Sequence, residues 1–313
     1  MSPEFLSSRP LISLVIPTRN EAQDIAPTLE ACLAIDYDPK EIIVVDDSTD
    51  ETPRTVASYA DQGVRFVHRT ENRNGCCGAR TLGMKMAKGE IVVLLNADNR
   101  PRPDFLNRLL PHYLAGADYV IVRSLVINRN NVWGKYIHAQ SQASLSGEPD
   151  VKWSEGFSCR RTAAEAVGYF PGDFPVPFCR DWRLGEGLRR AGFNKHFDPE
   201  IPMEHVIPGT LETYWRNQIW RGTFSAPTAY YFGKRSLPII LAREILKAGR
   251  GALRNLLIFP ALIRAIRLSA YTDRGWPNAP ELFFAGVVQD AATSVGNFRG
   301  FKILVQNLRR KAK

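Results

Sequence analysis

Three aspartates follow apolar runs of the sequence, at positions where strands would end. Asp46 and Asp47 come directly after residues 42–45, and Asp98 comes shortly after residues 91–95. Carboxylates gathered at one edge of a sheet are costly unless they are solvated, paired or bound to a cation. Their oxygens, together with substrate phosphates, suit Mg²⁺ or Mn²⁺. The spacing therefore predicts a divalent-cation site for a phosphorylated substrate.

Basic residues and one more carboxylate accompany this acidic edge. Arg19 and Glu21 follow the first apolar run, and Arg80 follows the glycine-containing segment 75–78. Guanidinium groups and helix N-termini both suit phosphate oxygens. No G-K-[ST] sequence follows the glycines, so the segment is not a Walker A loop and an ATPase is disfavoured.

Short apolar runs alternate with helical patterns over the first hundred residues. Strands are predicted at residues 11–16, 42–45, 64–67, 91–95 and 118–123, a loop at 75–78, and helices from Pro27, from a Ser48/Glu51 capping box and over 79–87. This alternation predicts an α/β fold with a mostly parallel sheet and right-handed crossovers. The ligand crevice of such a sheet lies beyond the carboxyl ends of its strands. Helix capping by Asp47, Ser48 and Asp50 stays open as their alternative role.

The chain is long enough for one large α/β core with a smaller appendage. It has 313 residues, 44% of them hydrophobic, and its net charge of +9, with a pI near 9.4, favours anionic partners. The five cysteines lack paired C-x-x-C spacing, which argues against a zinc site or a disulfide framework and favours the cytoplasm. Without a signal-type leader or a run of roughly 18 apolar residues, we expect a protein that is soluble or peripheral at the cytoplasmic face of a membrane.

Residues 226–313 form the second predicted part of the chain, a basic amphipathic helical extension. Arg243, Lys247, Arg250 and Arg254 recur at spacings of four, three and four, which places them on one face of a helix. This stripe is typical of an interfacial helix on an anionic membrane surface, and equally of a helix pair packed on the catalytic domain with its basic face in water. The membrane alternative implies a lipid-linked or nascent cell-surface glycan as the acceptor.

Four motifs occur in the order and spacing of one enzyme family. They are Val15-Ile16-Pro17-Thr18-Arg19-Asn20-Glu21, Val45-Asp46-Asp47-Ser48-Thr49-Asp50, Gly78-Ala79-Arg80-Thr81-Leu82-Gly83 and Asn96-Ala97-Asp98. Together they resemble the nucleotide-binding half of the family-2 inverting glycosyltransferases, which have the GT-A fold. The similarity continues to about Gly222 through Glu155-Gly156-Phe157 and residues 180–193. It implies a GT-A domain over residues 1–225, with a nucleotide-binding half at about 10–125 and an acceptor half at about 126–225.

The resemblance also implies roles for individual residues. Asp181 would be the catalytic base, and Asp98 would bind the metal, Mn²⁺ or Mg²⁺. The implied nucleotide-binding residues are Pro17, Thr18, Arg19, Glu21, Asp47, Arg80, Asn96 and Ala97. His205 and Arg221 match a later region that often closes over the diphosphate, and His205 is a candidate second metal ligand, although a lone histidine is as often a core residue. The implied donor is a UDP- or GDP-linked sugar, and the implied acceptor is a glycan or a lipid-linked hydroxyl.

Two positions depart from the family's pattern. The usual D-x-D is Asn96-x-Asp98 here. The last aspartate is the one generally assigned to the metal, while the first often contacts ribose, a role that an amide can fill. The acidic residue that normally precedes the base is Arg180, whose guanidinium would lower the pKa of Asp181 or engage an anionic acceptor.

An incomplete signature argues against a processive polymerase, since Gly222 follows Gln218-Ile219-Trp220-Arg221 where Q-x-x-R-W relatives have tryptophan. We therefore predict a hexosyltransferase that transfers a single sugar in the synthesis of a cell-surface polysaccharide or glycolipid. A nucleotidyltransferase is the alternative enzyme, although its usual glycine- and lysine-bearing loop is not apparent near the first strand. A catalytically inactive sugar-binding relative also fits Asn96 and Arg180. Nucleic-acid binding would explain only the charge, and we expect no nucleic-acid partner.

Overall fold

The chain divides into two compact units. The structure, a computed structural model, describes residues 7–71, 75–144, 155–170, 182–207 and 209–311. The first unit comprises residues 1–125 and 147–205, and the second comprises residues 126–146 and 206–313. The boundary predicted at residue 225 falls inside the second unit, and the functional division into a donor half and an acceptor half stays a prediction.

The first unit is built on one eight-stranded sheet. Its strands are β1 (Ile12–Thr18), β2 (Lys40–Asp46), β3 (Val64–His68), β4 (Ile91–Leu94), β5 (Asn99–Arg100), β6 (Tyr119–Val126), β7 (Ser158–Arg160) and β8 (Lys195–His205). They lie in the order β3-β2-β1-β4-β7-β6-β8-β5. The block β3-β2-β1-β4 is parallel, whereas β7 runs antiparallel to β4 and β6, and β5 runs antiparallel to β8. The predicted α/β fold is confirmed, and the sheet is mixed.

Helices cover both faces of this sheet and make up most of the second unit. Those in the described residues are α1 (Ile25–Leu33), α2 (Thr52–Ala57), α3 (Gly75–Met86), α4 (Phe105–Leu114), α5 (Val132–Ser144), α6 (Arg161–Ala166), α7 (Trp182–Arg190), α8 (Leu211–Gly222), α9 (Ser225–Tyr231), α10 (Leu237–Leu256), α11 (Phe259–Ser269) and α12 (Ala279–Lys311). Helices α5 and α8 to α12 belong to the second unit. Within the described ranges, no helix is long and apolar enough to cross a bilayer.

Strand β1 is buried on both faces, which explains its apolar run. Ile12, Leu14 and Ile16 pack into a core with residues of α1 and α4 on one side of the sheet. Val15 faces the opposite core, which α3 covers. A Cβ at Gly83 of α3 would collide with the Val15 side chain, so this glycine lets α3 lie close to the sheet.

Two local predictions in this unit were wrong. Residues 75–78 were predicted as a loop, but they form the first turn of α3, because burial of Cys77 with the rest of the helix against the sheet outweighs the low helix propensity of glycine. The Ser48/Glu51 capping box is also absent. Asp50 takes that role instead, since its Oδ1 accepts from Thr52 N (3.0 Å) and Thr52 Oγ1 (2.6 Å) at the start of α2.

In the second unit, α8 and α12 approach each other through glycines. A Cβ at Gly222 of α8 would lie 2.9 Å from the Cα of Gly296 in α12. A Cβ at Gly296 would collide with the carbonyl oxygen of Ile219, and one at Gly300 with that of Thr223. The backbones of these helices are therefore in direct contact along a seam, the glycine seam, formed by Gly222, Gly296 and Gly300.

The basic stripe of α10 is turned toward neighbouring helices of its own unit. Arg243 pairs with Glu244 (2.6 Å), and Lys247 pairs with the same carboxylate (3.3 Å). Arg254 reaches Asp290 of α12 at 2.5 Å. Acidic partners within the unit thus bind three of the four cations, while Lys247 and Arg250 are exposed, and a role of the stripe at a membrane stays a prediction.

Candidate functional site

Asp46 ties together the carboxyl ends of three parallel strands. It lies opposite Thr18 of β1 and His68 of β3 in the sheet, and it is fully buried. Its Oδ1 accepts hydrogen bonds from Thr18 Oγ1 (2.6 Å) and from Ser48 Oγ, while its Oδ2 lies 2.6 Å from His68 Nδ1. These contacts saturate the carboxylate, so its role is to hold the strand ends in register.

Asp47 is held by an arginine that the sequence analysis missed. Arg69 Nε and Nη2 bind the two carboxylate oxygens of Asp47 at 2.7 and 2.6 Å, and both side chains are almost fully buried. Such a bidentate pair fixes the direction of the carboxylate. The pairing follows from the register of β2 with β3, in which Asp46 lies opposite His68, and the sequence alone does not show this register.

The loop after β1 is joined to the loop after β2 through Asn20. This residue adopts φ 58°, its backbone N donates to Ser48 Oγ at 2.7 Å, and its Oδ1 accepts from Thr49 N at 2.9 Å. Pro17 is partly buried at the end of β1, and Arg19 is exposed. The predicted nucleotide-binding residues of both loops thus lie on one connected edge of the sheet.

Asn96 accepts a hydrogen bond from Arg80, so these two predicted site residues meet. Arg80 Nη2 donates to Asn96 Oδ1 at 2.8 Å, and the guanidinium carbon lies 5.8 Å from the centre of the Phe170 ring. Arg80 is buried in α3. The side chain of Ala97 is buried in the core, and its carbonyl accepts from Thr28 Oγ1.

Asp98 lies among other carboxylates. Burial, followed by the nearby charges of Glu155, Glu21 and Asp24, raises the pKa of Asp98 to about 8. Burial and the charges of Asp24 and Asp50 likewise raise the pKa of Glu21 to about 7. Grouped carboxylates with raised pKa values suit a bound divalent cation, which would favour their charged forms.

His205 pairs in the sheet with the residue that follows Asp98. It is opposite Asn99 in the pairing of β5 with β8. The buried Asn99 donates from Nδ2 to Asp98 Oδ1 (3.2 Å) and accepts from Asn96 N (2.8 Å), so it holds the Asn96-x-Asp98 segment in place. His205 Nε2 lies 3.0 Å from Ser124 Oγ. Because β5 has only two residues, no sequence pattern predicts this pairing.

The described residues do not place two of the predicted site residues, Asp181 and Arg221, at this edge. Asp181, the predicted base, and its neighbour Arg180 lie outside the described residues. Arg221 lies in the last turn of α8, in the second unit. Their roles stay predictions.

A second group of possible metal ligands lies far from this site. His112, His196 and Asp198 have ligand atoms within 4.8 Å of one another. In the parts of the chain described, no other group of three or more histidines, cysteines or acidic residues lies this close together. His196 is nine positions before His205 on β8, roughly 30 Å along an extended strand. The two imidazole rings stack with centres 4.0 Å apart, and His112 Nε2 bonds Asp198 Oδ2 at 2.8 Å. Stacked rings point their nitrogens along nearly parallel planes, so the arrangement fits a hydrogen-bonded cluster better than convergent metal ligation.

Replacing Asp98 with asparagine should stabilise the metal-free protein at high pH. The pKa of Asp98 is about 8 in the fold and 3.8 ordinarily, so the folded state binds an extra proton between these values and loses stability as pH rises through that window. Asp98→Asn keeps the acceptor for Asn99 and removes this loss. We expect its melting temperature to exceed that of the wild type by several degrees at pH 8, with little difference near pH 4. In the wild type alone, Mn²⁺ should restore stability at pH 8.

Equal dependence of the melting temperature on pH in the two proteins would contradict the prediction. The control is Asp61→Asn, which changes an exposed carboxylate.

Comparison with known proteins finds one sequence family that matches the parallel strands of this edge. Residues 13–166 match the family described as glycosyl transferase family 2. The succinoglycan biosynthesis protein ExoO of Rhizobium meliloti is 32% identical over 152 residues, which cover 48% of this chain and 43% of that protein. The poly-beta-1,6-N-acetyl-D-glucosamine synthase of Staphylococcus aureus is 26% identical over 66% of this chain and 53% of its own length. The chain thus spans about half the length of these relatives.

Solved structures share the fold over nearly the whole chain. The mannosyltransferase PcManGT of Pyrobaculum calidifontis, in complex with GDP-Man and Mn²⁺, aligns with a TM-score of 0.61 and 23% identity over 94% of this chain and 88% of that one. Residues 1–349 of TarS from S. aureus, in complex with UDP-GlcNAc, align with a TM-score of 0.53 and 14% identity over 92% and 91% of the two chains. At these identities the similarity concerns the fold.

Proposed function

We propose that the protein is an inverting glycosyltransferase, on the premise that residues 13–166 match glycosyl transferase family 2. It transfers a single sugar from a nucleotide diphosphate sugar to an acceptor hydroxyl. The observation that carries this proposal is the group of carboxylates around Asp98, two residues after Asn96, which accepts a hydrogen bond from Arg80. Such a site would bind a diphosphate through a cation and an arginine.

The nucleoside end of the donor is assigned to the two joined loops. Pro17, Thr18 and Glu21 come from the first loop and Asp47 from the second. Arg69 holds the Asp47 carboxylate in one direction, which would present it as a fixed acceptor for donors of the base or ribose. The related structures hold GDP-Man and UDP-GlcNAc, and we propose a UDP- or GDP-linked donor for this chain.

The leaving diphosphate is assigned to Asp98, Arg80 and the N-terminal turn of α3. A divalent cation, Mn²⁺ or Mg²⁺, would be held by Asp98 with His205 as the candidate second ligand, and would offset the charge that develops on the diphosphate. Asn96 accepts from Arg80 without carrying charge. An aspartate there would neutralise the arginine, so the amide leaves its positive charge for the substrate. Arg221 would close over the diphosphate.

The attacking hydroxyl is assigned to Asp181. A carboxylate on the face opposite the diphosphate would remove the hydroxyl proton as the new bond forms, and one in-line displacement inverts the anomeric carbon. ExoO and the poly-beta-1,6-N-acetyl-D-glucosamine synthase are named for polysaccharide synthesis. We propose a cell-surface polysaccharide or glycolipid as the product, made on a glycan or lipid-linked acceptor.

Calorimetric titration of UDP and GDP, with and without Mn²⁺, tests the donor site. We expect one nucleotide to bind in a metal-dependent manner. Asp98→Ala should weaken this binding by about tenfold or more, because it removes the proposed metal ligand. A tenfold loss corresponds to about 1.4 kcal/mol of binding free energy. The exposed carboxylate variant Asp61→Ala should bind as the wild type does. If neither nucleotide binds with metal present, the donor assignment is wrong.

A further inference from the structure

Exposed apolar side chains are concentrated on α10, on α11 and in the turn between them. Of the twenty large apolar side chains exposed in the described residues, eleven lie between residues 239 and 266. They are Ile239, Leu241, Ile245, Leu246, Leu253, Leu256, Leu257, Ile258, Phe259, Ile263 and Ile266, and together they form what we call the outer face. An apolar patch this extensive is rare on a soluble monomer and marks a membrane or partner contact.

Helix α10 is oriented opposite to an ordinary surface helix. Such a helix buries its apolar side and exposes its charged side. Here Glu244 is fully buried and bonded to Arg243 and Lys247, while the adjacent Ile245 and Leu246 are exposed. Glu244 is therefore paired within the unit, and the apolar side chains face outward together with the exposed Lys247 and Arg250.

The turn between α10 and α11 is strained as well as exposed. Ile258 adopts φ 58° and ψ −53°, and Phe259 N donates to the Leu257 carbonyl across it at 2.5 Å. This is the rare form of the γ-turn, and a β-branched residue seldom takes positive φ. The flanking Leu256 and Phe259 are 78% and 75% exposed. Strain in a turn that presents four consecutive apolar side chains points to a functional role.

The charge of this region selects a lipid surface over a second copy of the chain. Residues 237–270 contain six basic residues and one acidic residue, Glu244. Arg250 and Arg267 are exposed beside the outer face. The other four basic residues pair with Glu244 or with Asp290 of α12. Pairing two copies through this face would bring the exposed arginines of both copies together, whereas anionic phospholipid headgroups would attract them.

We propose that the α10–α11 segment lies in the interface of an anionic phospholipid bilayer. Its outer face enters the boundary between headgroups and acyl chains, and Arg250 and Arg267 lie at the level of the lipid phosphates. The segment lies along the surface, since no helix of the described residues is suited to span a bilayer. This assignment concerns the second unit and does not depend on the donor chemistry of the first.

Flotation of the full chain with lipid vesicles tests the proposal. We expect binding to phosphatidylcholine vesicles that contain a quarter of phosphatidylglycerol, and weaker binding to phosphatidylcholine alone. Leu256→Asp/Phe259→Asp should lower the partition coefficient by about tenfold or more, since it places two charges in the apolar layer. Arg250→Gln/Arg267→Gln should lower it on anionic vesicles only, and should flatten its dependence on salt.

A matched variant separates insertion from a change of net charge. Leu114→Asp/Leu211→Asp also replaces two exposed apolar residues, at 53% and 49% exposure, outside the outer face. It should bind as the wild type does. The proposal fails if the wild type ignores anionic vesicles, if both double aspartate variants bind equally, or if sedimentation shows a dimer that Leu256→Asp/Phe259→Asp dissociates without any lipid binding. Thermal unfolding that matches the wild type would confirm that each variant is folded.

Discussion

Replacing Asp181 with asparagine is expected to slow sugar transfer by about a thousandfold, within the range that a general base contributes. The substitution keeps the size and polarity of the side chain and removes its ability to take the hydroxyl proton. Nucleotide binding should be unchanged, because the donor contacts are assigned to the strand ends around Asp47 and Asp98. Initial rates at saturating donor, together with titration of the nucleotide, measure the two effects separately.

The contrast between Asp181 and Asp98 makes this prediction specific. Asp98→Ala should weaken metal-dependent nucleotide binding, whereas Asp181→Asn should spare it. Glu186→Gln is a suitable control, because this carboxylate of α7 pairs with Arg189 and Arg190 of the same helix. The base assignment would be refuted if Asp181→Asn retained the wild-type rate, or if it lost nucleotide affinity as far as Asp98→Ala does.

The inner strands of the parallel block, β1, β2 and β4, could be predicted because they are largely buried on both faces. Their sequences are short apolar runs that end in polar residues, and the ends of parallel strands meet at one edge. This reasoning placed Asp46, Asp47 and Asp98 at the same edge, where the structure has them. It could not show that Asp46 joins strand ends while Asp47 is oriented by an arginine. That difference depends on His68 at the end of β3 and on Arg69, which follows it.

Non-local pairings set the limit of sequence reasoning elsewhere in the site. Asn99 lies in a two-residue strand whose partner, His205, comes from the end of β8. No periodicity can show a strand this short, and nothing in the local sequence indicates which distant segment pairs with it. Its consequence is nevertheless large, since Asn99 holds both Asn96 and Asp98.

The C-terminal helices illustrate another limit. A repeat of basic residues shows that a helix has two different sides, but not which side faces its neighbours. For α10 the choice depends on Glu244 in the same helix and on Asp290, which lies 36 residues beyond Arg254. The outward side of α10 carries the exposed apolar side chains. The membrane hypothesis therefore depends on the outer face and no longer on the basic stripe.

Gly296→Ala is expected to destabilise the protein by about 2–3 kcal/mol, at the upper part of the range for overpacking. A Cβ at this position would collide with the carbonyl oxygen of Ile219, and Gly222 of the facing helix would lie 2.9 Å away. Both are backbone groups in helices, so neither can move without shifting α8 against α12. Gly222→Ala should have a similar cost, because its Cβ would lie 2.5 Å from the carbonyl oxygen of Thr293.

The matched control lies in α10 of the same unit. Gly249 has nothing within 4 Å of its Cβ position, so Gly249→Ala should gain up to about 1 kcal/mol from helix propensity alone. Calorimetric and urea unfolding of the three variants measure these differences. Opposite signs for Gly296→Ala and Gly249→Ala would follow from a seam of direct backbone contact, since both substitutions remove the same flexibility from the unfolded chain. If Gly296→Ala were instead as stable as Gly249→Ala, α8 and α12 would have to be farther apart than the glycine seam requires.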